Sequence, residues 1–345
     1  MRSAVTNVNP MVSVLLPVYN AQETLGRAIQ SILRQTFQEF ELLVINDGSR
    51  DGSLEVVKRF RDPRLRVIDL TRNGGLVAAL NYGLDVARGE LIARQDADDE
   101  SMPRRLELQC AALSNDARLL AVGAALQIMQ NGRRSGEVWR YPATAVGARW
   151  QSLFKTPVAH SAVTFRRDSV VGVGGYLEDY RYAEDYELWS RLLQVGNIGS
   201  LGESLLKYDV GVGGVSRAKV NEQRVVHCRI AGNNMRRLID AEVESNVVEL
   251  LAFGVEGGAM FGGFSEFVRA ASCLVLLYQK FLSVERARHE EVVSGEVRSD
   301  FEERACKLVR MLPYRERFRG LKVITKALPS KSISRRSMAR MLCLP

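Results

Sequence analysis

The residues best suited to chemistry lie in Gly89-Glu90-Leu91-Ile92-Ala93-Arg94-Gln95-Asp96-Ala97-Asp98-Asp99, where an apolar climb ends in three carboxylates within four positions. Leu91 to Ala93 read as a short buried strand. The acids then sit at its C-terminal end, where open α/β sheets bind their ligands. Carboxylates held this close repel one another, and a cation offsets that cost. All-oxygen ligation suits a hard divalent ion, Mg²⁺ or Mn²⁺, which in turn prefers phosphate. The alternative is a solvated turn in which Asp98, Asp99 and Ser101 cap the next helix, with Pro103 in its first turn. A second acidic pair, Glu184-Asp185, precedes Leu188, Trp189, Leu192 and Leu193, whose spacing is helical. The helix macrodipole there favours ionised carboxylates. Asp185 is either an ordinary helix-start acid or a general base facing a sugar hydroxyl.

These acids need elements to carry them. Val12 to Val18, with Pro17 inside the run, reads as a buried parallel strand, and Tyr19-Asn20 make the turn. From Glu23 the apolar positions Leu25, Ala28, Ile29, Ile32 and Leu33 take helical spacing. Leu42 to Ile45 is a second strand ending in Asn46-Asp47-Gly48-Ser49, with a helix from about Ser53 to Phe60. Leu65 to Ile68 is a third, followed by Asn73-Gly74-Gly75 and a helix through Leu76, Ala79, Leu80 and Leu84. With the acidic stretch, this alternation predicts a doubly wound sheet with right-handed crossovers. The loops at the strand ends converge on one edge. Tyr19 offers a flat face to a base, Asp47 an acceptor for a pyrimidine ring nitrogen or a ribose, and Gly74 and Gly75 close backbone approach. Each is otherwise an ordinary turn residue. Further on, Leu119 to Met129 and Glu137 to Tyr141 flank an Asn131-Gly132 hairpin turn. Pro157 to Arg166 reads as loop and strand, with His160 a structural histidine or a site residue.

At 345 residues the chain is long enough for a large domain and a smaller one. Its five cysteines, Cys110, Cys228, Cys273, Cys306 and Cys343, are scattered with no CxxC spacing, which points to a reducing compartment and away from disulfide or zinc frameworks. No signal peptide is read, and the longest apolar run, Cys273 to Leu282, is too short to span a bilayer. A cytoplasmic protein is expected. Net charge is +8, yet residues 304–345 carry twelve Lys or Arg against Glu316 alone, so residues 1–303 sum to about −3. A basic end on a slightly acidic body suggests docking to an anionic surface, or a solvated cationic tail, and not nucleic acid.

Leu16-Pro17-Val18-Tyr19-Asn20, Ser31-Ile32-Leu33-Arg34-Gln35-Thr36, Val44-Ile45-Asn46-Asp47-Gly48-Ser49, Asn73-Gly74-Gly75, Ala93-Arg94-Gln95-Asp96-Ala97-Asp98-Asp99 and Ala183-Glu184-Asp185-Tyr186-Glu187-Leu188-Trp189 follow one another in that order. Over roughly residues 10–220 the chain thereby resembles the family-2 glycosyltransferases of the GT-A fold. The resemblance implies a Rossmann-like, mixed, mainly parallel sheet flanked by helices, a domain over residues 1–224. From about Val225 the strand signal disappears, and helical periodicity at Val247 to Leu251, Phe264 to Leu282 and Phe301 to Leu312 predicts a helical, basic region over 225–345. The resemblance also implies a nucleotide-sugar donor held by Pro17, Tyr19, Asn20, Glu23, Asp47, Asn73, Gly75 and Asp96. Asp96 and Asp98 become the DxD pair that meets ribose and diphosphate through Mn²⁺ or Mg²⁺. Asp185 becomes the catalytic base, and Glu184 and His160 face the acceptor, a glycan or lipid-linked hydroxyl. Three positions depart from the family pattern. Asn46 stands where an Asp is common. Tyr208-Asp209-Val210-Gly211 replaces a Tyr-Arg-x-His stretch, so the contact made there is absent or supplied by Arg217. Glu222-Gln223-Arg224-Val225 lacks the Trp of the processive synthases' Gln-x-x-Arg-Trp, which suggests single-sugar, non-processive transfer.

Rival readings fit less well. A nucleotidyltransferase needs a Gly-rich basic loop after the first strand, and Tyr19-Asn20-Ala21-Gln22 is not one. A dinucleotide oxidoreductase needs GxGxxG after Val18. A catalytically inactive protein that keeps the sheet and grips a polyanion through its basic end is the alternative from another class.

Overall fold

The computed structural model describes residues 10–130, 132–210, 219–254, 262–288, 295–328 and 335–342. Asn131, Gly211, Arg217 and Cys343 lie outside them. Two compact units emerge, residues 1–143 with 157–223, and residues 144–156 with 224–345.

In the first unit the apolar runs become β1 (Val12–Val18), β2 (Phe40–Asp47), β3 (Leu65–Leu70) and β4 (Leu91–Arg94). These pair in parallel in the order β3-β2-β1-β4. Helices α1 (Leu25–Leu33), α2 (Ser53–Lys58) and α3 (Leu76–Val86) make the crossovers. The alternating face Val12, Val14 and Leu16 packs with Leu42 and Val44 against Leu25, Ala28, Ile29 and Ile32 of α1. Each such side chain contributes about 1.5–3 kcal/mol when fully buried. Gly89 opens β4 where a Cβ would lie 2.5 Å from the Ser13 amide nitrogen, so no side chain fits there.

Beyond β4 the doubly wound pattern breaks. Asp98, Asp99 and Ser101 do not cap a helix. Glu100–Ser101 form the short strand β5 instead. Helix α4 (Arg105–Asn115) starts two residues after Pro103, with Arg104 at its N-cap and no side-chain capping bond. β6 (Leu119–Gln130), β7 (Arg133–Trp139), β8 (Thr164–Arg166) and β9 (Asn197–Asp209) extend the sheet in the order β4-β8-β6-β9-β5, with β7 on β6. Here β6 and β9 run parallel, while β8, β7 and β5 pair antiparallel. The described residues thus form one mixed, mainly parallel sheet of nine strands. Helix α5 (Ala145–Gln151) precedes β8; α6 (Arg167–Gly172) and α7 (Glu184–Val195) follow it.

The second unit is helical. α8 (Val220–Ile239) leads into α9 (Ser245–Phe253), α10 (Phe264–Ala287), α11 (Gly295–Met311), α12 (Tyr314–Lys326) and α13 (Arg335–Leu342). The loss of strand character thus begins before Val225, at Val220. α10 corrects the reading of Cys273 to Leu282 as too short. The helix has 24 residues and, by length and composition, could cross a membrane. Its length was hidden because Glu266, Arg269 and Lys280 interrupt the apolar pattern. Its residues Phe267, Ala270, Ala271, Leu274, Val275 and Phe281 are nevertheless buried, against α9, α11 and α12. α5 joins this core. Trp150 sets its edge on Phe281 and Tyr278, at 5.3 and 5.8 Å between ring centroids, and donates to Asp300 at 2.7 Å. Arg149 forms a buried ion pair with Glu285 at 2.6 Å.

Candidate active site

β4 ends in a cation that its apolar neighbours hide. Arg94 is 1% exposed, and its Nη2 meets Asp96 Oδ1 at 2.6 Å. Its Nε and Nη1 have no partner among the described residues. Asp96, Asp98 and Asp99 follow, each offering an oxygen within 4.8 Å of the others. Buried Gln95 fastens the turn, its Nε2 donating to the carbonyls of Asp96 and Asp99 at 3.0 and 2.9 Å. Its Oε1 accepts from Ser101 Oγ and Arg105 Nη1 at 2.7 and 3.0 Å. β5 then pairs Glu100 and Ser101 with Lys207 and Leu206, which brings the end of β9 alongside. The Asp209 amide donates to Asp99 Oδ1 at 3.2 Å.

Among the described residues, two buried oxygens there, Asp99 Oδ2 and Asp209 Oδ1, have no hydrogen-bond partner. Desolvation, then the charge of Asp96, raises the Asp98 carboxyl to about 6. The same effects, with Asp98 added, push Asp99 well above the usual carboxylate range. Like-charged, incompletely partnered carboxylates of this kind fit a divalent cation, the donor set being oxygen only. Asp98 is the most accessible of the three.

The second acidic pair opens α7. Tyr182, just before it, takes a positive φ of 75°, rare for a residue with a side chain, and its carbonyl accepts from Gln223 Nε2 at 2.9 Å. Burial raises Asp185 to about 6 against the opposing pull of the Tyr186 amide, its own amide and the Arg94 charge, while Asp96 adds to the rise. Burial and the neighbouring Asp185 charge bring Glu184 to about 7. Arg94 and Asp96 therefore act directly on Asp185. The acids after β4 and the acids that open α7 are thus electrostatic neighbours, and the Arg94 charge bears on both.

The donor-side residues sit at the ends of β1 and β2 and in the loop after β3. Pro17 closes β1, Tyr19 is 49% exposed, and Glu23 is exposed ahead of α1. Asn20, at φ 51°, ties the first turn to the second: its amide donates to Ser49 Oγ at 3.0 Å and its Oδ1 accepts from the Arg50 amide at 2.8 Å. Asp47 points inward, 4% exposed. Its two oxygens accept from the Gly74 and Gly75 amides at 2.7 and 2.9 Å, and its carbonyl accepts from Asn73 Nδ2 at 3.2 Å. Its carboxylate shapes the edge by pinning this loop. Gly75 has φ 89°, and a Cβ there would lie 3.4 Å from Arg181 Nη2, a cation the sequence reading did not single out. Asn46, the departure from Asp, spends its side chain across β2 and β3, donating to Asp69 Oδ1 at 2.7 Å.

His160 meets Tyr176 Oη at 2.9 Å and lies edge-on to Trp189 at 6.1 Å. Burial, then the Arg94 charge, lowers its pKa well below the imidazole range, so it is neutral. Sequence reasoning gave no role to Arg94 or Tyr176, and read Tyr208-Asp209 only as a departure from the family pattern. A signal existed for Arg94, a guanidinium ending an otherwise apolar strand.

Comparison with known proteins places the chain in a family. The model of the family "Glycosyl transferase family 2" matches residues 13–172. The O-antigen biosynthesis glycosyltransferase WbnJ of Escherichia coli is 34% identical over 209 residues, 58% of this chain and 80% of WbnJ. The chain belongs to glycosyltransferase family 2. Among solved structures, S. aureus TarS 1–349 in complex with UDP-GlcNAc aligns at TM-score 0.58 and 18% identity, covering 92% of this glycosyltransferase and 88% of that chain. The chain spans 53% of the longer TarS structure. The mannosyltransferase PcManGT from Pyrobaculum calidifontis, in complex with GDP-Man and Mn2+, aligns at TM-score 0.53 and 17% identity over 94% of this chain and 89% of its own. These two likenesses carry the fold, which is GT-A: a mixed, mostly parallel sheet flanked by helices, with helices at its C-terminal end.

Proposed function

We propose that this glycosyltransferase moves single sugars, with inversion, from a nucleotide-sugar donor to a hydroxyl of a glycan or lipid-linked acceptor, using Mn²⁺ or Mg²⁺. The observation that carries the proposal is that Arg94, which pairs with Asp96 at 2.6 Å, also bears with its charge on Asp185. Asp96, Asp98 and Asp99 would hold the ion, which when bound stabilises negative charge on the departing diphosphate. Tyr19 and the loop pinned by Asp47 would take the nucleoside, with Pro17, Asn20 and Glu23 around it and Asn73 and Gly75 at the rim. Asp185 accepts the proton of the attacking hydroxyl on its carboxylate as that oxygen approaches the anomeric carbon from the face opposite the nucleotide. Arg94 keeps Asp96 oriented and favours the ionised form of Asp185. Glu184 lies beside the base on the acceptor side, and neutral His160 supports that side through Tyr176.

The complexes of TarS with UDP-GlcNAc and of PcManGT with GDP-Man and Mn2+ support the donor class and the metal. WbnJ's part in O-antigen biosynthesis supports a glycan acceptor. The missing Trp after Glu222-Gln223-Arg224 supports non-processive transfer. No observation favours the alternative of an inactive polyanion-binding protein. Thermal-shift screening of UDP-, dTDP- and GDP-sugars with Mn²⁺ and with EDTA tests the reading. One donor class is expected to stabilise the chain only with metal, and no stabilisation by any of them would overturn it.

A peripheral position on an anionic membrane face belongs to the same proposal. α12 exposes Tyr314 and Phe318 one turn apart, 64% and 58% accessible, with Arg315, Arg319, Lys322 and Lys326 exposed beside them. Aromatic anchors on a basic helix face suit a lipid–water boundary. Each cation is worth about 1 kcal/mol near such a surface. Replacing Arg315, Lys322 and Lys326 together by Gln is therefore expected to weaken sedimentation with phosphatidylserine vesicles on the order of 100-fold. Unchanged sedimentation would remove the membrane reading.

A further inference from the structure

The sheet divides the site. Donor-side residues stand on β1, β2 and the loop after β3, to one side of the acids that follow β4. On the other side, across β8, run β6, β7 and β9. There Trp139, at the end of β7, lies opposite Leu126, and Tyr208 lies opposite Ile128 two residues further along β6, so both rings share one face. Their centroids are 5.7 Å apart with planes inclined at 39°. Trp139 is 39% exposed, whereas the other two tryptophans, Trp150 and Trp189, are at most 1% exposed. Its Nε1 donates to Glu137 Oε1 at 2.7 Å, which fixes the indole by its edge and leaves its face open. Tyr141 follows on the same side. Burial, then Asp185, raises its phenol to about 12, and Tyr208 is raised by burial and then by Asp99, Asp96 and Asp98. Tyr141 and Tyr208 pack against the same buried cluster of Ala124, Leu126 and Ile128, and Tyr208 precedes Asp209, whose amide donates to Asp99 Oδ1. Among the described residues no hydrogen bond engages either hydroxyl.

A solvent-exposed indole costs free energy unless something covers it, and among the described residues Trp139 stays 39% exposed with Tyr208 beside it. A hexopyranose has one ring face of C–H groups and a rim of hydroxyls. That matches a flat aromatic face bordered by two free phenols and a carboxylate base. A nucleobase would also stack, but Tyr19 and the Asp47-pinned loop place it across the acids.

We propose that Trp139, Tyr208 and Tyr141 form the subsite for the acceptor sugar. Trp139 stacks on the pyranose ring, and the two phenols orient its hydroxyls so that one reaches Asp185. This rests on the glycosyl-transfer reading, and it adds that the acceptor's receiving unit is itself a pyranose.

The test is saturation-transfer NMR on the full chain with methyl hexopyranosides of gluco, galacto, manno and 2-acetamido-gluco configuration, run with and without UDP and Mn²⁺. At least one glycoside should bind the parent chain. Trp139→Ala should weaken it by about tenfold or more, the loss of one aromatic contact, while Trp139→Phe stays within about threefold. Calorimetric binding of UDP with Mn²⁺ should be equal in all three proteins, which reports folding and the donor site separately. Binding of no glycoside by the parent chain, or equal binding by Trp139→Ala, overturns the subsite. Failure of UDP, dTDP and GDP all to bind with Mn²⁺ counts against the glycosyl-transfer reading, while the nucleotide-free arm still decides the subsite.

Discussion

Asp185→Asn is expected to bind donor as the parent enzyme does and to lose roughly 10²–10⁴-fold in turnover, the usual worth of a positioned proton acceptor. The substitution is nearly isosteric, and the Tyr186 and Asp185 amides that bond the native carboxylate can still donate to the Asn oxygen. What disappears is the capacity to take a proton. The pH dependence gives an independent check. Asp185 sits at about 6 and Glu184 at about 7, so the two titrate as a pair near neutrality. A base works only when ionised. Turnover should therefore fall as pH drops through this range, approaching about tenfold per unit below pH 6, and the residual activity of Asp185→Asn should lack that acid limb. An Asn variant with full activity, or with the parent's acid limb intact, would take the base role away from Asp185.

Asp98→Ala should instead abolish metal-dependent donor binding. Asp96 already has one oxygen committed to Arg94, and Asp99 has one committed to the Asp209 amide. Asp98 is the most accessible of the three. Its loss should weaken Mn²⁺ binding by more than about 100-fold, beyond what loss of an outer-shell partner costs. The fold should survive, since the side chain contributes nothing to the core. Titration calorimetry of Mn²⁺ with UDP present is the measurement. Parent-like metal affinity would mean that Asp96 and Asp99 suffice without it.

How much of this was legible beforehand follows from what periodicity can carry. β1 to β4 and their helices stand out as apolar runs separated by turn residues, because both faces of a parallel sheet are buried. The acidic groups were legible for a related reason, one sitting just past such a run and the other just ahead of a helical apolar spacing. β5 was not, since two residues have no period, and its pairing with Lys207 and Leu206 is fixed more than a hundred residues away. That pairing is what delivers Asp209 to Asp99, where the sequence showed only a broken motif. Asp47 was read as a free acceptor because an Asn-Asp-Gly turn does not say which way its carboxylate faces. The structure turns it inward onto two glycine amides. Arg94 was quoted within its motif and given no task, because a charge ending a strand reads as an exit to solvent until burial is known.

Helix α5 has a consequence for anyone who wishes to isolate the catalytic unit. Although it lies before β8 in the chain, its Trp150 and Arg149 are seated among Tyr278, Phe281, Glu285 and Asp300. A protein terminated near residue 224 would strip that indole of its aromatic neighbours and take Glu285 from that guanidinium. The unit is discontinuous, so it cannot be excised by trimming one end. Expression trials should keep the whole polypeptide and alter the helical region by point substitution alone.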